Sequence, residues 1–238
     1  MRSSIYLRGG MDKRRCAVVL MCLATGILLV PVDSAMEPYL AQLGRIGSVD
    51  AVEDLWKELA STFGIALFLL AGASSLTKDR GRALLAFAAC VTVSGTVEQA
   101  AKYLIGRARP NYVHDQTLFY GPFSALHPVP GIQIDSMPSG HTAVAFAMAV
   151  ALAWRWPRLA FLWYSLAAGV AVSRVLADVH FPSDVIVGAC IGLVIGWVIC
   201  AQAFFAGIGP LGSRHQGKSE GLPDAEEREN TRDEEEVK

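Results

Sequence analysis

Three short polar clusters interrupt an otherwise apolar sequence, at residues 102–110, 138–141 and 173–184. They combine side chains that bind anions with side chains that transfer protons. Ionisable groups at membrane depth are costly and usually face a cavity or a partner. Taken singly, each cation could also be an interfacial residue whose charge reaches the lipid headgroups. Taken together, the clusters indicate a polar pocket.

Three cations in these clusters have the chemistry of a phosphate site. Lys102 and Arg109 are seven residues apart, or two helical turns, so they can share one face if the helix persists between them. Arg174 supplies a third positive charge. The guanidinium fork matches phosphate oxygens, and the ammonium group acts as a point charge. Three cations in one pocket would repel each other unless an anion lay between them.

The second cluster, Pro-Ser-Gly-His at residues 138–141, has the pattern of a helix start. Ser139 can cap the helix, and Gly140 lets the backbone approach a ligand closely. The first N–H groups of such a helix form an anion site, although an ordinary N-cap would show the same pattern. His141 stands at the edge of the apolar helix, where it can act as a proton donor.

The third cluster holds a histidine and an aspartate four residues apart, His180 and Asp184. If a helix begins near Pro182, the carboxylate can reach back to the imidazole. A carboxylate on one ring nitrogen fixes the tautomer and leaves the other nitrogen as a nucleophile. A metal site is the competing interpretation, but no further Asp, Glu or Cys joins at ligand spacing, and three cations oppose a divalent ion. We therefore expect no metal and no other cofactor.

Long apolar stretches are the elements that must position these clusters. Hydrophobic residues make up 53 % of the 238 residues. Charged residues make up only 18 %, whereas they make up about a quarter of a typical soluble domain. Because a helix needs about 20 apolar residues to cross a bilayer, we predict an all-α, polytopic membrane bundle. About six transmembrane helices are expected, near residues 16–32, 59–76, 83–103, 141–153, 159–173 and 184–206. The net charge of −1 gives no reason to expect a nucleic-acid partner.

The basic residues predict the orientation of these helices. They concentrate in segments 2–15, 78–82 and 155–158, which the positive-inside rule places in the cytoplasm. All three polar clusters then lie at the opposite, extracytoplasmic face. Residues 33–58 mix apolar and acidic side chains, so we expect an amphipathic helix at the interface.

The three clusters together resemble the signature of the type 2 phosphatidic acid phosphatase and vanadium haloperoxidase superfamily. That signature is Lys, six residues, Arg-Pro; then Pro-Ser-Gly-His; then Ser-Arg, five residues, His, three residues, Asp. Every position and internal spacing agrees with this sequence, and the resemblance covers about residues 83–206. The first motif alone is weak, whereas all three in order are specific.

The resemblance implies an all-helical fold and a metal-independent reaction through a phosphohistidine. At the matching positions, His180 is the nucleophile, Asp184 its partner, and His141 the proton donor that later activates water. The phosphate-binding residues are Lys102, Arg109, Ser139, Gly140 and Arg174. Arg107 is an additional cation that matches no position of the signature and receives no role.

Together, these expectations predict a membrane lipid phosphatase that acts on a phosphate monoester or pyrophosphate. We expect residues 1–212 to form the membrane-embedded phosphatase domain and residues 213–238 a disordered, acidic, cytoplasmic tail. The expected location is a bacterial inner membrane, with a lipid phosphate as substrate and membrane lipids as surroundings. The lipid stays open among undecaprenyl pyrophosphate, phosphatidylglycerol phosphate, phosphatidic acid and lipid A, and no oligomeric state is predicted. The alternatives are a lipid phosphotransferase, a vanadate-dependent haloperoxidase and a catalytically silent lipid binder or flippase.

Overall fold

The computed structural model describes residues 12–45, 80–113, 118–126 and 129–205. Within these ranges the chain forms α-helices, short 3-10 turns and one isolated bridge between Arg107 and Phe119, but no β-strand. The α-helices are α1 Lys13–Arg45, α2 Arg80–Ile105, α3 Pro110–Val113, α4 Gly140–Arg155, α5 Ala160–Leu176 and α6 Pro182–Phe205. The predicted all-α class is therefore confirmed for the described part of the chain.

Four of the described helices are long and apolar enough to cross a membrane. These spans are Lys13–Leu43, Leu84–Ile105, Pro157–Leu176 and Pro182–Ala203. They correspond to the first, third, fifth and sixth of the predicted spans. The second, near residues 59–76, lies outside the described residues, as does the predicted tail at residues 213–238.

The fourth predicted span, α4, has 16 residues, so it is shorter than the roughly 20 that cross a bilayer unaided. It lies at the centre of the bundle, where it packs against α2, α5 and α6. Ala143, Ala147 and Ala151 are buried on it. Small side chains let neighbouring helices approach closely, which is how membrane helices associate. Because α4 opens with the second polar cluster, this packing fixes the cluster relative to the other helices.

Helices α4 and α6 approach each other closely. A Cβ atom at Gly188 of α6 would lie 2.5 Å from the carbonyl oxygen of Ser139, and one at Gly192 would collide with the carbonyl oxygen of Ala143. Only glycine allows such backbone contact. The start of α4 is therefore held directly against the first turns of α6.

We predicted a first span at residues 16–32 and a separate interfacial helix at residues 33–58. The predicted boundary between residues 32 and 33 is wrong. Helix α1 runs without interruption for 33 residues, from Lys13 to Arg45. Asp33 does not mark its end, because this carboxylate is fully buried against Arg107 and Ser183 in the bundle. Residues 46–58 lie outside the described residues.

All five cysteines are free thiols, in agreement with their interpretation as small apolar side chains. Cys90, Cys190 and Cys200 are buried. Cys90 and Cys200 belong to the hydrophobic cluster that α4 forms with α2 and α6. They contribute to the apolar packing between these helices.

Candidate active site

The first cluster is positioned by a sharp turn at the end of α2. Lys102 lies in the last turn, and its carbonyl oxygen accepts a hydrogen bond from the backbone N–H of Gly106 at 3.0 Å. Gly106 has a φ of +61°, and a Cβ atom there would collide with the carbonyl oxygen of Gly121. Only glycine combines that dihedral with that contact. The helix ends at Ile105, so it does not persist from Lys102 to Arg109, and the condition for a shared helical face is not met.

The third cluster places Asp184 in the first turn of α6, held by three hydrogen bonds. Its Oδ1 accepts from Arg107 at 2.5 Å. Its Oδ2 accepts from the hydroxyl of Ser136 at 2.6 Å and from the backbone N–H of Phe181 at 2.9 Å. The carboxylate is fully buried. Its orientation is therefore set before any substrate binds.

His180 lies beside this carboxylate, as the four-residue spacing predicts. Its Nδ1 is 3.7 Å from Oδ2 of Asp184, which is contact distance but too long for a hydrogen bond. The imidazole is only 4 % exposed. Burial lowers the pKa of His180 below its ordinary 6.5, and Asp184 partly opposes this shift, while the charges of Arg109 and Lys102 add to it. The ring is therefore neutral at neutral pH, the state that a nucleophile requires.

The second cluster joins the third through its backbone. The N–H of Ser139 donates to the carbonyl oxygen of Asp184 at 3.0 Å. The predicted side-chain cap is wrong, because the Ser139 hydroxyl makes no capping bond to α4 and instead accepts from the hydroxyl of Thr142 at 3.0 Å. Gly140 begins α4, where a Cβ atom would lie 2.8 Å from the carboxyl carbon of Glu98. A larger residue there would have to displace the carboxylate of Glu98.

His141 differs from His180 in its exposure. Its side chain is exposed, yet the charges of Arg174, His180, Lys102 and Arg109 all act on it. Arg174 itself is 4 % exposed, in the last turn of α5. The structure thus brings both histidines and all three predicted cations to one site, with His141 on its open side.

Two of the cations already face carboxylates that the motifs did not include. Glu98 lies 2.6 Å from the ammonium group of Lys102, one helical turn before it. Asp135 binds Arg109 through both carboxylate oxygens, at 2.7 and 3.0 Å. Burial acts to raise the pKa of Asp135, but the hydrogen bond and charge of Arg109 outweigh it, so the pKa is lowered. These acids reduce the repulsion that three cations alone would cause.

Sequence reasoning also missed the surroundings of Asp184. Arg107, which received no role, is fully buried and contacts Asp184, Ser183 and Asp33. An arginine between two predicted apolar elements was the available signal, because such a cation needs a buried partner. Its partner Asp33 is 74 residues away in sequence, so spacing could not identify it.

Comparison with known proteins gives a family. The model of the PAP2 superfamily matches residues 83–207, a range that contains all three clusters. A lipid A 1-phosphatase of Rhizobium etli is 37 % identical over 108 residues, which are 45 % of this chain and 43 % of that protein. A decaprenylphosphoryl-5-phosphoribose phosphatase of Mycobacterium tuberculosis is 30 % identical over 145 residues, 57 % of this chain and 70 % of that protein. The chain thus spans less than half the length of the lipid A 1-phosphatase.

Two solved structures share the fold. Aquifex aeolicus LpxE matches with a TM-score of 0.51 and 20 % identity, over 69 % of this chain and 94 % of that one. A PAP2-type phosphatidylglycerolphosphate phosphatase of Bacillus subtilis, described as transmembrane, matches with a TM-score of 0.54 and 21 % identity, over 81 % and 98 %. Together with the four membrane-length helices, these similarities identify an integral membrane protein. The chain belongs to the PAP2 superfamily.

Proposed function

We propose that this chain is a membrane phosphatase that hydrolyses a phosphate monoester or pyrophosphate of a lipid through a phosphohistidine, without a metal ion. One observation carries the proposal: a buried histidine, His180, lies beside a fixed carboxylate, Asp184, within the electrostatic range of Lys102 and Arg109. Phosphoryl transfer needs an in-line nucleophile, cations around the phosphoryl oxygens and a proton for the leaving group. Each requirement has a candidate residue at this site.

The position of Asp184 supports one choice of roles for the two ring nitrogens of His180. Since Oδ2 of Asp184 faces Nδ1, the proton stays on Nδ1 and Nε2 is the nucleophile. Nε2 bonds to phosphorus as the bond from phosphorus to the lipid oxygen breaks, and the ring becomes a cationic phosphoimidazole. In the second step water attacks phosphorus, the P–N bond breaks and inorganic phosphate leaves.

His141 is the proposed proton carrier for both steps. It donates a proton to the departing lipid oxygen and then takes one from the attacking water. Its exposed position supports this role, because a lipid leaving group must depart toward the open side, away from the buried His180. Lys102, Arg109 and Arg174 stabilise the charge on the phosphoryl oxygens.

The proposed binding set also includes Ser139 and Gly140. Ser139 is fully buried, and its backbone is tied to that of Asp184, so the start of α4 and the nucleophile pair form one rigid unit. Backbone N–H groups at a helix start bind phosphate oxygens well. Within the described residues, no three side chains of His, Cys, Asp or Glu are grouped so that they could hold a metal ion.

The proposed substrate class is a lipid phosphate in a bacterial inner membrane, with the site on the extracytoplasmic side. The names of the relatives support a lipid phosphate: lipid A 1-phosphatase, decaprenylphosphoryl-5-phosphoribose phosphatase and phosphatidylglycerolphosphate phosphatase. The loop that contacts the end of α2 exposes apolar side chains suited to an interface. They are Phe119, Tyr120, Phe123 and Leu126.

Phosphate release from a panel of lipids tests the proposal. The purified protein in EDTA is expected to release inorganic phosphate from at least one of undecaprenyl pyrophosphate, phosphatidylglycerol phosphate, phosphatidic acid and lipid A, and vanadate is expected to inhibit it. His180→Ala should abolish release. His215→Ala is the matched control, because it changes a histidine beyond the matched range of residues 83–207.

Each alternative has its own outcome in that assay. Loss of turnover in EDTA with recovery in magnesium would contradict the metal-independent reaction. Transfer of phosphate to a second lipid without release would indicate a phosphotransferase. Bromide oxidation by the vanadate-loaded protein would indicate a haloperoxidase, and no reaction with any lipid phosphate would indicate a silent binder.

A further inference from the structure

Arg107 is the centre of a fully buried ionic network beside the proposed nucleophile. One guanidinium nitrogen donates to the hydroxyl of Ser183 at 2.7 Å and to Oδ1 of Asp184 at 2.5 Å. The other donates to Oδ2 of Asp33 at 2.8 Å. All four side chains are fully buried. A charge in such a place is stable only when it is paired and hydrogen-bonded.

Asp33 closes the network from α1. It accepts hydrogen bonds from the backbone N–H of Ser183 at 3.2 Å and from the Ser183 hydroxyl. The guanidinium carbon of Arg107 lies 4.0 Å from the ring centroid of Phe181, the residue after His180. The network therefore ties α1 and the turn after α2 to the segment that carries His180 and Asp184.

The charges in this network are unequal, since one guanidinium faces two carboxylates. Facing Asp184 alone, Arg107 would neutralise that carboxylate and weaken its attraction for a positive charge on His180. Asp33 offsets the charge of Arg107, which leaves one net negative charge. Interactions between charges are stronger in a buried site than in water. His180 faces Oδ2 of Asp184, whereas Arg107 donates to the other carboxylate oxygen, Oδ1.

We propose that Asp33 and Arg107 are positioning residues: Arg107 holds one oxygen of Asp184, and Asp33 offsets Arg107 so that Asp184 keeps its negative charge for His180. This inference rests on the proposed function, in which His180 attacks phosphorus. The imidazole is neutral before the attack and cationic after it. The surplus negative charge therefore stabilises the transition state more than the bound substrate, which affects kcat more than KM.

A purely structural role is the competing explanation, because the same bonds fasten α1 to α6. Ser183 separates the two explanations. Ser183→Ala removes hydrogen bonds to both Asp33 and Arg107 but leaves every charge in place. Asp33→Asn keeps the shape of the side chain and removes one charge. If the network acts through packing alone, the two variants should behave alike.

The direct readout is the pKa of His180, measured by NMR titration of histidine-labelled protein in detergent micelles. Its signal is assigned by its absence from His180→Gln. The charged or titratable groups that act on this ring are Asp184, Arg109, Lys102, Asp135 and His141, and none of them is changed in the test variants.

The expected result is a lower His180 pKa in Asp33→Asn than in the wild type, because a negative charge behind Asp184 has been removed. Ser183→Ala should leave this pKa unchanged. In phosphate release, kcat of Asp33→Asn should fall by about tenfold with KM unchanged, which corresponds to a shift of about one pKa unit in the stabilisation of the cationic ring. Glu37→Gln, at the buried acid one turn further along α1, is the matched control and should keep the wild-type His180 pKa.

Equal pKa values in Asp33→Asn and the wild type, or equal shifts in Asp33→Asn and Ser183→Ala, would overturn the inference. If Asp33→Asn does not fold, the double variant Asp33→Asn/Arg107→Gln removes one charge of each sign. Its His180 pKa is expected at or above the wild-type value, and a lower value would also overturn it. The titration does not require turnover, so absence of phosphate release with a shifted pKa would reject the proposed function and leave only the electrostatic effect of Asp33 on His180 standing.

Discussion

Replacing Gly188 with alanine tests whether the close packing of α6 on α4 sets the geometry of the site. The new Cβ atom would lie 2.5 Å from the carbonyl oxygen of Ser139, whereas real Cβ atoms keep at least 3.0 Å. The helices must therefore separate locally by about 0.5 Å, since a backbone carbonyl cannot rotate away as a side chain could. That shift also strains the 3.0 Å hydrogen bond from Ser139 to the backbone of Asp184.

The expected cost of Gly188→Ala follows from that displacement. A misplacement of 1 Å in an active site can cost about a hundredfold in rate, so a shift of half that size predicts a loss of about tenfold in kcat. Overpacking of this kind also destabilises a protein by about 1–3 kcal/mol. The assay is initial phosphate release from the lipid that the wild type hydrolyses fastest, together with thermal unfolding in the same detergent.

Gly95→Ala is the matched control for this prediction. Gly95 lies in α2, and a Cβ atom there meets nothing within 4 Å. Alanine favours a helix over glycine by up to about 1 kcal/mol, so this variant should be as active as the wild type and no less stable. The packing argument fails if Gly188→Ala retains the wild-type kcat, or if Gly95→Ala loses as much.

Three other measurements address orientation, protonation and proton transfer. With the five native cysteines replaced, Leu126→Cys should react with an impermeant thiol reagent outside intact cells and Arg158→Cys should not; the reverse labelling would place the site in the cytoplasm. Only neutral His180 attacks phosphorus and its pKa lies below 6.5, so on acidification kcat/KM should begin to fall only at pH values under 6.5; a fall on acidification that begins above pH 6.5 would contradict the assignment. His141→Ala should slow lipid hydrolysis by about 10²–10⁴-fold yet recover part of the leaving-group burst with para-nitrophenyl phosphate, which needs no proton; a burst as low as that of His180→Ala would contradict its role.

Much of the site could be predicted because its residues lie close in sequence. The spacing from His180 to Asp184 within one helical turn requires only that α6 begin near Pro182, and it does. The apolar lengths of the helices were equally visible. The spacing of residues along the sequence predicts which side chains one helix or turn brings together. The pairing of His180 with Asp184 and the lengths of the helices depend only on such local spacing.

The parts that could not be predicted depend on contacts between distant segments. In the sequence, Asp33 indicates the end of a span, because an acidic side chain is costly in a membrane. Only its contact with Arg107 in the structure shows why α1 continues through this position. Asp135 and Ser136 lie in an irregular loop, whose path no periodicity describes. The Ser139 cap was wrong because Thr142 donates to that hydroxyl instead, a choice that depends on packing around α4.

Trapping the phosphoenzyme tests the central claim most directly. The protein is mixed in EDTA with its lipid substrate carrying a radiolabelled phosphate, quenched under alkaline denaturing conditions, and digested to locate the label. Label on His180 in the wild type, absent from His180→Ala, is the predicted result. Lipid hydrolysis by the wild type with no labelled protein at any time, or label that persists in His180→Ala, would contradict a reaction through phosphohistidine 180.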